Sequence, residues 1–477
     1  MPDIPLKIII TPNPALVDDE VRIRITGAPP RTPVKIVAWT MDDQNRRWES
    51  HAEFLSRLDG TVILSQDAPR SGTYSGVDPV GLFWSMRLNP GDAGQNDQYL
   101  KKELAPSEIT FEASTPDMLH TSRERLEKQF VPQGTTVRAV EEDGLAGLLF
   151  LPSGDVREQE FFDADGTPRT VTQSLLSASK KSPAAGAMED ERLPVVITLG
   201  GSGGGLDWEV AAALAGHGYA GFALPYFGFE PLPPSLNSIP LEYFERAIAW
   251  LCRQPEIDPG RIAVYGISRG AELALLLASK NPLLRVVIGI VPGHVSWQGT
   301  GRAPDESSSP GAKRDGSRSS WTYRGQPVPY VPYAMSWFRI WTAVRVITFR
   351  KPVRFLDLHH DSLRQRHFVE LAGIHVEEIR APILLVSASD DAVWPSEAMA
   401  EAAVRRLHAR GFEYEALHVK NPGAGHLLRL PHTPATTLAS RVPTFDLRVE
   451  FGGKPQATAQ ARVVAWRETL KFLQRHL

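Results

Sequence analysis

The stretch Gly266-Ile267-Ser268-Arg269-Gly270 carries a hydroxyl between two glycines. A serine hydroxyl is a weak nucleophile until a base and an orienting acid activate it. Before it, Arg261-Ile262-Ala263-Val264-Tyr265 is short, β-prone and apolar, the pattern of a buried strand. After it, Ala271-Glu272-Leu273-Ala274-Leu275-Leu276-Leu277-Ala278 consists of strong helix formers. A strand that turns straight into a helix strains the turn residue and brings the two arms close together. Only small residues fit two positions before and two after, where Gly266 and Gly270 stand. The pattern predicts a nucleophile elbow, with the Ser268 hydroxyl in the open and the Arg269 amide facing an oxyanion. The competing reading is a tight strand-to-helix turn with a capping serine.

Two further groups complete the chemistry. The strand-like run Pro382-Ile383-Leu384-Leu385-Val386-Ser387-Ala388 ends in Ser389-Asp390-Asp391-Ala392-Val393-Trp394-Pro395. A carboxylate just past a strand end can orient a histidine, and Asp390 and Asp391 both qualify. Either could instead cap the helix that starts near Ser396. Farther on, Gly423-Ala424-Gly425-His426 follows the strand Tyr414-Glu415-Ala416-Leu417-His418-Val419. A histidine in a glycine-flanked loop can reach a serine as its base. Ser268, Asp391 and His426 run in the chain order of an α/β-hydrolase triad.

The elements that must position these groups alternate strand and helix from Leu193 onward, the sign of a mostly parallel sheet covered on both faces. Leu193-Pro194-Val195-Val196-Ile197-Thr198-Leu199 reads as a buried strand running into Gly200-Gly201-Ser202-Gly203-Gly204-Gly205. Glycines let backbone amides approach a ligand, so an amide of the 201–205 loop is expected to complete the oxyanion hole, with Ser202 and Gly203 as candidates. The glycine spacing does not match a dinucleotide phosphate loop. Tyr219 to Leu224 is the next strand. The loop Pro225 to Pro234, with Tyr226, Phe227 and Phe229, lies over the expected cleft, as structural cover or as a substrate contact. Val463 to Leu477 reads as a closing amphipathic helix. The segment 174–191, rich in Ser, Ala and Lys, reads as a mobile loop, and 299–320, low in apolar residues and rich in Ser, Gly and charge, as a disordered insertion. His359-His360-Asp361 is no convincing metal cluster, because consecutive side chains do not face one way.

Residues 1 to about 115 look all-β. Val21 to Thr26 and Val34 to Thr40 alternate apolar and polar, and proline- and glycine-containing turns separate the runs. Regular spacing of this kind suggests a β-sandwich. The charged stretch from 116 to 135 looks like a connector, and the hairpin signal around Glu141-Glu142-Asp143-Gly144 opens a second domain. The expected division is 1–130 and 131–477, in a chain of 477 residues. Charge is near balance, with 52 basic and 55 acidic residues, which argues against nucleic acid or an anionic membrane as partner. The lone cysteine, Cys252, excludes a disulfide framework and reads as a core thiol. No signal peptide, no membrane-length apolar run and no good peroxisomal address is seen, so a cytoplasmic protein is expected. No cofactor or metal is called for.

Read together, these motifs make the chain resemble the family of acyl-CoA thioesterases and bile acid-CoA:amino acid N-acyltransferases. Thr11-Pro12-Asn13-Pro14-Ala15 with Asp18-Asp19-Glu20-Val21 resembles the family's opening. Gly76-Val77-Asp78-Pro79-Val80-Gly81-Leu82-Phe83-Trp84 resembles its N-terminal signature. Gly203-Gly204-Gly205-Leu206, Leu241-Glu242-Tyr243-Phe244, the elbow, Asp390-Asp391-Ala392-Val393-Trp394 and Gly425-His426 follow in matching order. The resemblance implies an immunoglobulin-like domain ahead of an α/β-hydrolase. It carries the nucleophile onto Ser268, the acid onto Asp391 and the base onto His426. It also implies an acyl-CoA substrate. The amino-acid-conjugating branch has cysteine at the elbow, so serine here favours hydrolysis over transfer to an amine. A carboxylesterase on the same triad is the nearest rival, and a non-catalytic binding protein the most distant.

Overall fold

The computed structural model describes residues 5–92, 97–152, 160–162, 168–170, 192–300, 318–335, 340–342, 344–349, 351–442 and 447–477. The expected mobile loop at 174–191 and most of the expected insertion at 299–320 lie outside the described residues.

The N-terminal part is a two-sheet β-sandwich. One sheet pairs Lys7–Thr11, Arg22–Thr26 and Val62–Ile63. The other is built on Pro33–Met41 and Arg47–Leu55, with Ser107–Ser114 and Thr121–Gln129 on one side. Strict alternation explains the pairing: Ile8, Ile23 and Ile25 from the first sheet meet Val34, Ile36, Phe54 and Phe111 from the second in one buried core. The stretch expected as a connector is therefore a strand over Thr121–Gln129. Its charges misled because they point outward: Arg123 and Arg125 face Glu112 and Glu108 across the strand pair at 3.5 and 3.2 Å. Its inward positions are Leu126 and Lys128, whose buried ammonium donates to the carbonyls of Leu16 and Val17.

The C-terminal part is built on a sheet of eight strands. In chain order they are β1 (Thr136–Val140), β2 (Gly147–Leu151), β3 (Leu193–Leu199), β4 (Ala220–Ala223), β5 (Ile257–Ile267), β6 (Leu284–Ile290), β7 (Ile383–Ala388) and β8 (Ala416–Asn421). Their spatial order is β1-β2-β4-β3-β5-β6-β7-β8. The β1–β2 hairpin is antiparallel and β2 is antiparallel to β4; every other pairing is parallel. Parallel strands need crossover helices, and these cover both faces. Helices α1 (Glu209–Ala215) and α5 (Pro455–His476) pack on one face through Leu214, Trp466 and Phe472. Helices α2 (Glu242–Cys252), α3 (Arg269–Ala278) and α4 (Ser396–Ala409) pack on the other through Phe244, Leu273 and Leu407. This is an α/β-hydrolase fold preceded by an all-β, immunoglobulin-like sandwich. We propose the domain boundary at 130/131, between the last sandwich strand and β1.

Two expectations need correction. The closing helix starts at Pro455, not Val463, because proline at the first helical turn begins a helix without loss of a bond. Cys252 ends α2 and is half-buried at the edge of the core rather than enclosed in it. No helix of the described residues is long and apolar enough to cross a membrane.

The two domains are joined by a buried polar contact. Asp18 of the sandwich accepts from Trp466 Nε1 at 2.7 Å and meets His217 Nε2 at 2.5 Å. Burial alone would raise the Asp18 carboxyl, but the His217 charge and the hydrogen bonds of His217 and Trp466 hold it at about 2, against 3.8 for a free aspartate. Between those values the folded chain binds fewer protons than the unfolded one, so stability rises with pH there. Wild type is expected to exceed an Asp18→Asn variant by about 2 kcal/mol in urea denaturation at pH 7. That difference should shrink as pH falls from about 4 to 2; a gap independent of pH would contradict the assignment.

Candidate active site

The elbow is built by close packing. A Cβ on Gly266 would stand 2.0 Å from the Gly270 carbonyl oxygen. One on Gly270 would stand 2.2 Å from the Leu199 oxygen and 2.5 Å from that of Gly200. No larger residue fits either place. The turn between β5 and α3 holds Ser268 at φ 57°, ψ −118°, a strained backbone for a residue with a side chain. The Ser268 N–H donates to the Ile290 carbonyl at the end of β6, 2.9 Å away. The Arg269 N–H is at the first position of α3, where no intrahelical acceptor precedes it.

Ser268, His426 and Asp391 come together. His426 Nε2 lies 3.0 Å from Ser268 Oγ, and His426 Nδ1 lies 2.8 Å from Asp391 Oδ2. All three are buried. The Val393 and Trp394 amides donate to Asp391 Oδ1 at 2.9 and 3.2 Å, so the second carboxylate oxygen is fixed as well. With Nδ1–H donated to the carboxylate, Nε2 is left as acceptor for the serine proton. Asp390 is exposed and contacts the histidine loop only through its amide, which donates to Ala424. Of the two aspartates left open by the residues, the second faces the imidazole.

A turn that sequence reasoning did not single out holds the acid and base loops together. The Phe451 carbonyl accepts from both His426 N–H, at 2.9 Å, and Ala392 N–H, at 3.3 Å. Gly452 and Gly453 follow, both at positive φ. A Cβ on Gly452 would stand 2.0 Å from the Asp390 oxygen, and one on Gly453 would stand 2.1 Å from the Gly425 nitrogen. Gly425 in turn lies against Gly452, and its N–H donates to Thr458 of α5. The paired glycines were the available signal.

The aromatic loop after β4 braces the glycine loop after β3. Tyr226 Oη donates to the Gly200 carbonyl at 2.6 Å, and the Gly205 N–H donates to the Phe227 carbonyl at 2.9 Å. The Phe227 ring lies on Gly204, 2.7 Å from where a Cβ would be. Tyr226 and Phe227 are buried and serve as structural cover for this loop; Phe229 is exposed. The loop they hold puts Gly201 beside the serine, with its Cβ site 3.4 Å from Ser268 Cβ. The candidate oxyanion donors Ser202 and Gly203 follow directly in the turn.

The Arg269 side chain turns away from the serine. It is buried in an ion pair with Glu272 at 2.6 Å and hydrogen-bonded to Ser320. Glu272 Oε1 accepts from Trp297 N–H at 3.1 Å and Trp321 Nε1 at 2.7 Å. The pair therefore ties the segments around 297 and 320 onto α3. Burial raises the Glu272 carboxyl, and Arg269 opposes that rise. His359 packs its ring edge on Trp297 at 4.7 Å, and burial holds it down to about 4. His360, beside it on the helix Phe355–Leu363, is exposed. Among the described residues no group of three His, Cys, Asp or Glu side chains could hold a metal ion. A Gly452→Ala variant is expected to lose about 10²-fold in its rate of fluorophosphonate labelling, by displacing the acid and base loops. Labelling at the wild-type rate would show that this turn does not set the geometry.

Comparison with known proteins identifies the family. Residues 239–477 match the family described as BAAT / Acyl-CoA thioester hydrolase C terminal. Residues 18–142 match Acyl-CoA thioester hydrolase/BAAT N-terminal region. The chain is 29% identical to acyl-coenzyme A amino acid N-acyltransferase 1 of Mus musculus, over 99% of this chain and 98% of that one. It is 27% identical to acyl-coenzyme A thioesterase 1 of Homo sapiens, over 96% and 94%. It is 25% identical to the peroxisomal succinyl-coenzyme A thioesterase of Mus musculus, again over 96% and 94%. The chain belongs to the acyl-CoA thioester hydrolase/BAAT family.

Proposed function

We propose that this protein hydrolyses acyl-CoA thioesters through Ser268, His426 and Asp391. The observation that carries the reading is the connected Ser268–His426–Asp391 line at 3.0 and 2.8 Å, within a family named for acyl-CoA chemistry. His426 Nε2 takes the Ser268 proton as Oγ attacks the thioester carbonyl carbon. Asp391 holds the imidazole and stabilises its cationic form. The Arg269 amide, with one from Ser202 or Gly203, receives the oxyanion. The carbon–sulfur bond then breaks. Coenzyme A leaves as a thiolate, a good leaving group that needs little acid assistance, and carries off the His426 proton as free thiol, which returns Nε2 to its basic form. Water gives a proton to His426 and attacks the acyl-serine. The free acid departs, and the proton returns to Oγ.

A second reading has one observation in its favour: several relatives are named amino acid N-acyltransferases. There an amine would take the place of water at the acyl-enzyme. Serine at position 268 supports water, because an oxygen ester is less readily split by an amine than a thioester. The carboxylesterase reading shares the triad and differs only in leaving group. The cytoplasmic address read from the sequence stays part of the proposal. Relatives carry peroxisomal and mitochondrial names, so fractionation of the native protein is the test.

The deciding experiment follows thiol release from a panel of acyl-CoAs. Wild type is expected to release free thiol with stoichiometric free acid. Ser268→Ala should lose at least about 10⁴-fold in turnover while remaining folded. Near-wild-type turnover in that variant would sink the serine assignment. Acyl–amino acid product in place of free acid would establish the transferase reading. Cleavage of aryl esters with no acyl-CoA turnover would establish the esterase.

A further inference from the structure

A cleft of about 1040 Å³ opens between the sandwich and the catalytic domain, and none of the three triad residues lines it. Its volume is that of a site for a large ligand. The sandwich contributes Tyr74, Trp84 and Arg87; the catalytic domain contributes Arg448, Lys454 and Gln456. Arg448 is paired with Asp97 at 3.3 Å. Arg87 and Lys454 are exposed, and among the described residues neither has an acidic partner. Two uncompensated cations, one from each domain, thus face one cleft.

Two further features point to an anion. Lys454 immediately precedes α5, and the first residues of that 22-residue helix line the same cleft. The positive end of a long helix and its unbonded N–H groups suit a phosphate. Tyr74 lines the cleft as well; it is 6% exposed, and its hydroxyl has no hydrogen-bond partner. A buried hydroxyl left unpaired is costly unless something supplies an acceptor.

The cleft also borders the catalytic machinery. Lys454 N–H donates to the Gly423 carbonyl at 2.9 Å, and Gly453 packs on Gly425. The first turn of α5 is therefore the backing of the loop that carries His426. We propose that this inter-domain cleft binds the phosphorylated nucleotide end of coenzyme A. Arg87, Lys454 and the α5 N-terminus would take its 3′-phosphate and pyrophosphate, while the acyl-pantetheine arm runs past the His426 loop to Ser268. This rests on the acyl-CoA reading above and goes further: it assigns the sandwich domain a direct part in holding substrate.

The test compares wild type with Arg87→Ala/Lys454→Ala on two substrates bearing one acyl group, the CoA thioester and the pantetheine thioester that lacks the nucleotide. The variant is expected to lose at least about tenfold in kcat/KM on acyl-CoA, through KM, equivalent to about 1.4 kcal/mol. Lys454 supports the His426 loop through its backbone N–H, which the substitution keeps, so kcat/KM on acyl-pantetheine and fluorophosphonate labelling should stay within about twofold of wild type. Adenosine 3′,5′-diphosphate should compete with acyl-CoA in wild type and no longer in the variant. Equal losses on both substrates, an unchanged KM for acyl-CoA, or absence of competition would each overturn the proposal. If wild type turns over no acyl-CoA, the proposed function fails by itself. Calorimetric titration with adenosine 3′,5′-diphosphate then still decides the cleft: binding abolished in the variant supports an anion site, and no binding to wild type overturns it.

Discussion

The contact between Gly266 and Gly270 is the constraint on which the rest depends. The two arms of the elbow approach so closely that a single added carbon would overlap a carbonyl oxygen. That approach forces the strained backbone of Ser268 and aims its hydroxyl away from the sheet. The same contact extends sideways, because Gly270 also lies against the carbonyls of Leu199 and Gly200. The end of β3, the end of β5 and the start of α3 are thereby locked as one unit. The expected oxyanion amides and the expected nucleophile are referenced to the same few atoms. Strain at one residue is sustained by burial of nearly every neighbour, with the strands on both sides of β5 buried along the ends that meet the elbow.

A second set of close approaches performs the same task for the acid and the base. Asp391 and His426 belong to different strand ends, and a third segment, Phe451 to Gly453, bonds to both loops. Carbonyl-to-amide contacts of this kind leave little room for the two loops to move separately. The imidazole is then oriented from one side by the carboxylate and from below by its own backbone. On the opposite side of the elbow, the Arg269–Glu272 pair holds the tryptophan-rich cover in position. Removing one partner of so buried a pair would strand a charge, which makes it a specific fastener more than a source of net stability.

The sandwich is not a passive appendage in this arrangement. Asp18 is locked to His217 and Trp466, and Trp208, next to the glycine loop, donates its indole N–H to the Lys102 carbonyl. The Phe130 ring meets Trp208 edge-on at 5.1 Å. These contacts reach the catalytic domain from the face opposite α2 to α4. The cleft with its unpaired cations lies along the same junction.

Local sequence determined the parts whose signal is local. The elbow was legible because strand propensity, two glycines, a serine and helix propensity all fall within one continuous stretch. The parallel sheet was legible from alternation of apolar runs with helical ones, and the triad order from strand ends followed by loops. The strand at Thr121–Gln129 was not, because its outward charges outnumber its inward residues, and only pairing with Ser107–Ser114 reveals which face is buried. Tertiary structure set Asp391 rather than Asp390 against the imidazole, where residue types alone had left both open, turned Tyr226 and Phe227 into a brace for the glycine loop, and gave Gly452 and Gly453 their purpose. Each of these depends on backbone atoms far apart in the chain approaching within van der Waals distance. Periodicity and composition report which face of an element is apolar; they do not report which distant carbonyl will press against it.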